Sequence, residues 1–402
     1  MTELRVEAAV YGGYTLGREE GVVFIRGAIP GERVEVAIEE KKRDYATATV
    51  REVLLPSAHR VSPPCEYFGV CGGCHLQYIS YERQVSMKAD ILKDSLLRIG
   101  GLRVSLDAQI AGVPFGYRRR GQFKVDPRSG SLGLYREATR DVVPIAACPL
   151  MHPSLSELYS SVRATDLAGV REVHITAGEK GIVALLRGRS YDDGLAERFA
   201  AMGFSGVAFE DKSFRSEGYV TFDLGGLVYT VSPWSFFQSN WELNRRVTGL
   251  LDEMLASAED KRVLDLYAGG GNFSLPLARK ARSVVAVEES AHSVRDGMRN
   301  ALMNKIANLT FIEGRAESAK IKGEFDIVLL NPPRPGLSKA VVERVLALAP
   351  ETVVYMSCNP STLARDLKKI TTAYDLRSIR MMDFFPNTFH IESLAVLDRR
   401  VV

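Results

Sequence analysis

The rhythm of apolar and polar positions changes three times along this chain. Over residues 4–55 it is strand-like, as in Arg33-Val34-Glu35-Val36-Ala37-Ile38, and Gly12, Gly13, Gly17, Gly21 and Gly31 punctuate it. Side chains alternate across a strand, so short runs with this period predict a small barrel. Residues 57–64, which with Pro56 bring three prolines together, read as a linker. From residue 80 to 99 the apolar positions Val85, Ile91, Leu92, Leu96 and Leu97 recur at helical spacing and predict an amphipathic helix. Residues 109–231 return to strand-like runs, among them 173–176 and 182–186, separated by glycine-bearing turns. After about residue 240 strands and helices alternate, the pattern of a doubly wound parallel sheet. Its strands are expected at 262–267, 283–288, 309–312, 325–330, 352–357, 379–385 and 392–397.

Length turns this pattern into domains. At 402 residues the chain exceeds what one core serves. We expect an OB-like β-barrel at 1–57, a middle α+β domain at 58–235 whose helix 80–99 packs on the next domain, and a Rossmann-like α/β domain at 236–402. The composition, 46% hydrophobic and 25% charged, is ordinary for a chain folded throughout. The start has no secretory pattern, and no run approaches the length of a membrane span, so a soluble, cytoplasmic chain is expected, acting as a monomer away from membranes.

A net charge of +3 draws polyanions only weakly, so a nucleic-acid site must come from local clustering. The sharpest cluster, Tyr117-Arg118-Arg119-Arg120, has by itself the character of a solvated surface run. Five cysteines in a cytoplasmic chain call for metal, catalytic or packing roles rather than disulfides.

Candidate chemistry gathers at the ends of the later strands. Val263-Leu264-Asp265-Leu266-Tyr267-Ala268-Gly269-Gly270-Gly271-Asn272 sets an apolar strand directly before a glycine turn, and the next strand ends in Glu288. Ligands bind beyond such carboxyl ends, and an acid there can accept from ribose hydroxyls. The turn lacks the G-x-G-x-x-G spacing suited to a pyrophosphate, and Asp265 suits a sulfonium-bearing amino acid better than a phosphate. Asn331-Pro332-Pro333-Arg334 and Ser357-Cys358-Asn359-Pro360 follow two further strands and open at the same edge. A thiol at a strand end before Asn-Pro is poorly placed for packing.

Taken in order, Phe237-Gln238, the 265–269 turn, Asn331-Pro-Pro-Arg, Ser357-Cys-Asn-Pro and Pro386 to Glu392 resemble the RNA uracil-5-methyltransferase family, and the resemblance covers nearly the whole chain. The first residues, with Tyr11-Gly12-Gly13 and Ile29-Pro30-Gly31-Glu32, resemble the RNA-binding TRAM module. The resemblance implies methyl transfer from S-adenosylmethionine to carbon 5 of a uridine. Carbon 5 is too electron-poor to attack a methyl group until a thiolate adds at carbon 6. Cys358 is the implied nucleophile and Glu392 the implied base for the carbon 5 proton, with His390 the alternative base. Gln238, Tyr267, Glu288 and Asn331 would contact the cofactor or target base, and Asn272 would support the loop. Two positions depart from the family. Asn331 replaces an aspartate, and Arg315 stands where an acid or amide faces adenine.

Cys65, Cys71 and Cys74 in C-x5-C-x2-C, with Cys148, have a spacing that suits a [4Fe-4S] cluster or tetrahedral zinc alike. The resemblance implies the [4Fe-4S] cluster. Two other activities compete. An amide- or exocyclic-nitrogen methyltransferase also uses Asn-Pro-Pro, but needs an aromatic where Arg334 stands. A non-catalytic RNA-binding factor would have no use for Cys358 and Glu392. The expected RNA is 23S ribosomal RNA, with transfer RNA the alternative.

Overall fold

The alternating N-terminal run closes on itself. In the computed structural model, which describes residues 2–192, 194–210, 214–216, 218–255 and 258–400, five strands form a barrel. They are β1 (Thr2–Val10), β2 (Tyr14–Arg18), β3 (Val22–Arg26), β4 (Arg33–Lys41) and β5 (Tyr45–Leu55), in spatial order β1-β2-β3-β5-β4. Leu4, Val6, Val23, Ile25, Val34 and Val36 fill it from alternate positions, so a one-residue slip would turn these side chains outward. The β1–β2 turn needs Gly12 and Gly13, whose φ values of 103° and 85° L side chains rarely adopt.

Helix α1 (Tyr81–Arg98) crosses from the barrel to the last sheet. Leu92 and Leu96 are buried there among Leu363, Leu367 and Ile370. Leu97 belongs to the other side and is 42% exposed. The buried face also holds Gln84 and Lys88, polar groups that periodicity would have placed outside.

The middle of the chain contributes β6 (Ala108–Ile110), β7 (Arg120–Val125), β8 (Leu132–Tyr135), β9 (Val142–Pro144), α2 (Pro153–Arg163), β10 (Val170–Ala177), β11 (Ile182–Gly188), α3 (Leu195–Ala201), β12 (Gly206–Phe209) and β13 (Phe214–Ser216). Seven of these strands form one sheet in the order β13-β12-β11-β10-β7-β8-β9. Both helices cover one face, burying Leu155, Tyr159 and Phe199 against Phe123, Val173 and Ile175. Alternation therefore turns Arg120, Gln122, Lys124, Glu172, His174 and Arg187 to the opposite face.

Hairpin β14 (Val220–Leu224) and β15 (Leu227–Val231) packs with Phe237, Trp241 and Leu275, so packing is continuous across residue 235. Then follow α4 (Trp241–Met254), β16 (Arg262–Leu266), α5 (Ser274–Ala278), β17 (Ser283–Glu288), α6 (Ala291–Met303), β18 (Leu309–Glu313), β19 (Ile327–Leu330), α7 (Lys339–Leu348), β20 (Thr352–Ser357), α8 (Pro360–Ile370), β21 (Tyr374–Met382) and β22 (Glu392–Arg399). The eight-stranded sheet runs β18-β17-β16-β19-β20-β22-β21-β6. Strands β16 to β20 are mutually parallel and β22 is antiparallel to its neighbours. Strand order reverses between β16 and β19, the place where such sheets bind ligands.

Two strands start elsewhere than expected. The one expected at 379–385 spans Tyr374–Met382; the Asp383 N–H still reaches the Ile110 carbonyl at 2.8 Å, and beyond it Lys88 Nζ holds the Asp383 carboxylate and the Phe385 carbonyl at 2.7 and 3.0 Å. The one expected at 325–330 begins at Ile327, after Asp326 has accepted the Arg262 backbone N–H at 2.7 Å. Among the described residues no helix is long and apolar enough to cross a membrane.

Candidate active site

A cavity of about 1150 Å³ opens at the carboxyl edge of the parallel strands, and Gln238, Tyr267, Asn272, Glu288, Asn331, Cys358 and Glu392 all line it. One wall belongs to the glycine turn. Tyr267, directly after β16, has φ 66°, a left-handed conformation uncommon for a bulky residue. Gly271, at φ 85°, leaves no room for a side chain, since a Cβ there would lie 2.3 Å from the Leu275 side chain. Glu288 braces the turn by accepting the Gly269 N–H at 2.9 Å and the Ser290 N–H at 2.8 Å.

Asn272 has its amide engaged, pairing reciprocally with Asn244 of α4 at 2.8 and 3.0 Å. It shapes the wall rather than offering a free amide. Asp265 does not face the cavity. Burial pushes its carboxyl up to about 7, and the Ser274 hydroxyl donates to it, which ties β16 to the start of α5. The expectation that Asp265 meets a ligand directly is thus corrected: Asp265 is buried on the face of the sheet that α5 covers and is not among the residues lining the cavity. Asn331 lines the cavity at the end of β19, and its backbone N–H reaches the Leu266 carbonyl at 3.3 Å. Arg315 lies at the rim, exposed and paired with Glu289 at 2.9 Å.

The opposite wall holds the reactive groups. Ser357 of β20 is directly opposite Ser393 of β22, so the next residue of one strand and the preceding residue of the other, Cys358 and Glu392, emerge side by side. Burial, then the Glu392 carboxylate, pushes the Cys358 thiol up to about 11, and Arg334 opposes that shift. Burial also raises Glu392 to about 7. His390 shares a hydrogen bond with the Arg334 guanidinium at 3.0 Å, and burial with that cation holds its ring down to about 3. At neutral pH His390 is therefore uncharged, and Glu392 is the stronger base of the two.

This wall is fastened by distant parts of the chain. The Asn387 carbonyl accepts from the His75 and Leu76 N–H groups at 2.8 and 3.1 Å. Gln84 donates to the Asn387 side chain at 3.0 Å and accepts its backbone N–H at 2.9 Å. The Tyr117 hydroxyl donates to the Pro386 carbonyl at 3.0 Å. Tyr11, from the barrel turn, directs its hydroxyl at the Cys358 carbonyl, 3.4 Å away, and its ring against Phe389.

Cys65, Cys71, Cys74 and Cys148 surround a second, small cavity with Tyr67, Phe68, Leu134, Ile145, Leu150 and Arg118. Burial raises the thiols of Cys71 and Cys148, and that of Cys74 to about 12. Among the described residues no three His, Cys, Asp or Glu side chains are grouped so as to hold a single metal ion. The Tyr117–Arg120 run is not a solvated surface. Tyr117 is buried, Arg118 faces the cysteines, Arg119 bonds the Gly178 carbonyl and His152, and Arg120 bonds the Ser235 carbonyl.

Sequence reasoning missed Asn244, Tyr11, Lys88 and Arg118. A lysine on the apolar stripe of α1, between Val85 and Leu92, was the one available signal for a buried ion pair. The others act across contacts of long sequence separation and leave no local mark.

Comparison with known proteins completes the description. The model of the family described as tRNA (Uracil-5-)-methyltransferase matches residues 220–400. An RNA methyltransferase of Aquifex aeolicus, described as uncharacterized, is 34% identical over 98% of this chain and 98% of its own. The 23S rRNA (uracil(1939)-C(5))-methyltransferase RlmD of Pectobacterium atrosepticum is 35% identical over 96% of this chain and 90% of its own. The fold is shared with Pyrococcus abyssi tRNA (uracil-54, C5)-methyltransferase, solved with S-adenosyl-L-homocysteine, at a TM-score of 0.77 and 23% identity over 98% of this chain and 100% of that one.

Proposed function

This chain belongs to the RNA uracil-5-methyltransferase family, and from that premise we propose that it methylates carbon 5 of a uridine in 23S ribosomal RNA, using S-adenosylmethionine. One observation carries the reading. Cys358 and Glu392 stand at adjoining strand ends on the same cavity that the glycine turn and Glu288 line. Tyr267, Glu288, Gln238 and Asn331 would hold the methyl donor and the base, and the donor supplies an electrophilic methyl group. Cys358 adds as thiolate to carbon 6, which pushes the ring electrons onto carbon 5 so that this carbon takes the methyl. Glu392 then removes the carbon 5 proton, the carbon 5–carbon 6 double bond re-forms, and the thiolate leaves. Arg334 is the cation that favours the thiolate over a thiol at about 11. Asn331 accepts from the uracil N3–H and donates to O4, keeping complementarity to uracil without the negative charge of an aspartate.

The four remaining cysteines fit a [4Fe-4S] cluster. Arg118 lies against them and beside the Tyr117 hydroxyl, with its Nε sealed from water and unpartnered, and no carboxylate is among the groups that act on it. Nearby Tyr117, Cys148 and Cys74 offset the cost of its burial and raise its pKa. A buried cation among cysteines calls for negative charge, which four thiolates on a cluster supply. Cys65, Cys71, Cys74 and Cys148 would hold it as a structural element, and the N-terminal barrel would serve as a TRAM-type RNA-binding module.

The test is methyl transfer from labelled S-adenosylmethionine to unmodified 23S ribosomal and transfer RNA transcripts, followed by mapping of 5-methyluridine. Product at one uridine of the 23S transcript is expected. Product only in transfer RNA would move the substrate, and product in neither would overturn the reading. Anaerobically purified protein is expected to be brown and to contain iron and sulfide, whereas stoichiometric zinc without iron would replace the cluster assignment.

A further inference from the structure

We propose that Arg365 and Asp366, in the middle of α8, are positioning residues for methyl transfer: they clamp the loop 331–337 so that Arg334 stays aimed at Cys358 and His390. The proposal rests on the functional reading above, in which Cys358 is the nucleophile, and adds to it the device that keeps the nucleophile's cation in place.

The loop Asn331-Pro332-Pro333-Arg334-Pro335-Gly336-Leu337 leaves β19 without forming a helix or strand, and its three prolines bring no N–H with which to fasten it. Of its amides, that of Asn331 reaches the Leu266 carbonyl at 3.3 Å and that of Gly336 the Pro333 carbonyl at 2.9 Å. Helix α8 supplies the remaining partners. Asp366, only 1% exposed, accepts the Leu337 N–H and the Tyr355 hydroxyl on one oxygen, each at 2.8 Å, and the Arg365 Nε on the other at 2.8 Å. Arg365 in turn donates from Nη2 to the Pro335 and Leu337 carbonyls at 3.0 and 3.1 Å. The fit is equally close from the loop side: Gly336 has φ 75°, and a Cβ there would lie 2.6 Å from Asp366 Oδ2 and 2.8 Å from Arg365 Nη2. A planar guanidinium with fixed donor directions holds two carbonyls and a carboxylate at once, which a lysine ammonium does not.

What the clamp holds is the cation of the reactive wall. Arg334 is exposed, and its guanidinium is tethered to His390 at 3.0 Å, so its aim depends on the backbone that carries it. Its charge opposes the rise of both the Cys358 thiol and the Glu392 carboxyl. Tyr355 lies on β20, Cys358 directly follows that strand, and α8 begins two residues later with Arg365 and Asp366 on it. One strand–helix unit therefore carries the thiol and grips the loop that brings its cation, which keeps the two in a fixed relation. The Arg365 side chain is 45% exposed at the edge of the cavity, so replacing it leaves the buried core untouched.

The experiment follows alkylation of Cys358 by iodoacetamide in the full-length, cluster-loaded protein, with the label assigned by peptide mapping, because the thiolate is the reacting form. Arg365→Met keeps the stem of the side chain and removes its donors. At a pH of about 8 its Cys358 should react about three- to tenfold more slowly than in wild type, and kcat should fall by a comparable factor. Arg365→Lys, which keeps the charge without the fork, should recover part of the loss. Action through Arg334 is read from a double-mutant cycle: Arg334→Gln slows alkylation, and adding Arg365→Met to it should slow it no further. A general structural role would instead multiply the two losses. Melting temperature and binding of S-adenosylhomocysteine establish that the variants are folded. If Arg365→Met melts early, Gly336→Ala, which pushes the loop off the clamp, is read in the same way, alone and with Arg334→Gln. Unchanged alkylation in the folded variant, or losses that multiply in the cycle, overturn the proposal and leave the methyltransferase reading intact. A Cys358→Ala protein that still methylates RNA overturns the functional reading and the proposal with it.

Discussion

The two walls of the cavity are built in opposite ways. The cofactor wall comes from consecutive strands of one parallel sheet: Tyr267 after β16, Glu288 at the end of β17 and Asn331 after β19. Its braces are mostly short-range, Glu288 to Gly269 and Ser290, and Asn272 to Asn244. The reactive wall takes Cys358 and Glu392 from neighbouring strands, but the loop between β21 and β22 is held by His75, Gln84, Lys88 and Tyr117, which precede it by more than 260 residues. Binding the methyl donor is thus a property of one sheet, whereas acting on the base is a property of the whole chain. Substitutions should separate the two.

The largest separation is expected at Cys358. Cys358→Ala should leave no detectable 5-methyluridine while the affinity for S-adenosylhomocysteine stays near wild type, because the thiol meets the base and not the donor. Turnover within about tenfold of wild type would sink the covalent route and the contrast between the walls with it.

Glu392 divides the reactive wall further, since it acts after methyl transfer. Glu392→Gln should slow turnover by about 10²–10⁴-fold, and should accumulate methylated RNA joined to Cys358 as a denaturation-resistant band carrying donor label. In the wild type, the carboxyl is raised to about 7, so it is protonated and idle below that pH and competent above it. Release should therefore speed up as pH rises through about 7, and that inflection should vanish in the Gln variant. Normal turnover of Glu392→Gln with no trapped complex would transfer the role to His390, despite the low basicity of its ring.

The same division explains what the sequence disclosed. The cofactor wall was legible because a strand, a glycine turn and an acid at the next strand end are consecutive in the chain, although the need for Gly271 proves to be packing, since a Cβ there would strike Leu275. The pairing of Cys358 with Glu392 was legible only through the family resemblance. Nothing local says that β22 turns back antiparallel beside β20 to bring them together. Least legible were the supports. A basic run at 117–120 has surface character by composition, yet tertiary packing buries Tyr117 and directs Arg118 to the cysteines. Asp265 illustrates the converse, a residue correctly placed in a motif yet buried on the face that α5 covers, away from the cavity.

A change on the cofactor wall should give the mirror image. Glu288→Gln removes a charge that now accepts two backbone N–H groups, and hydrogen bonds to a charged group contribute about 1.5–3 kcal/mol. The expected result is a rise in the Kd for S-adenosylhomocysteine of about 10–100-fold, with kcat at saturating donor close to wild type. A fall in kcat with unchanged donor affinity would show that the turn positions the base as well, and the two walls would no longer be separable.

The smallest effect, and the sharpest test of how far the reactive wall extends, is expected at Tyr11. This residue belongs to the barrel, yet its hydroxyl is 3.4 Å from the Cys358 carbonyl and its ring packs edge-on against Phe389, beside His390. At that length the hydrogen bond belongs to the lower part of the usual net range of about 0.5–1.5 kcal/mol. Tyr11→Phe keeps the ring packing and loses only the hydroxyl, so kcat should fall about two- to fivefold while the KM values for RNA and donor stay unchanged. A module that only captured RNA would give the opposite split, a raised KM for RNA at constant kcat. Tyr11→Ala, which also removes the ring from Phe389, should deepen the kcat loss without touching donor affinity. If both variants alter only the KM for RNA, the barrel ends at the cavity's edge, and the reactive wall is closed by α1 and the cysteine loop alone.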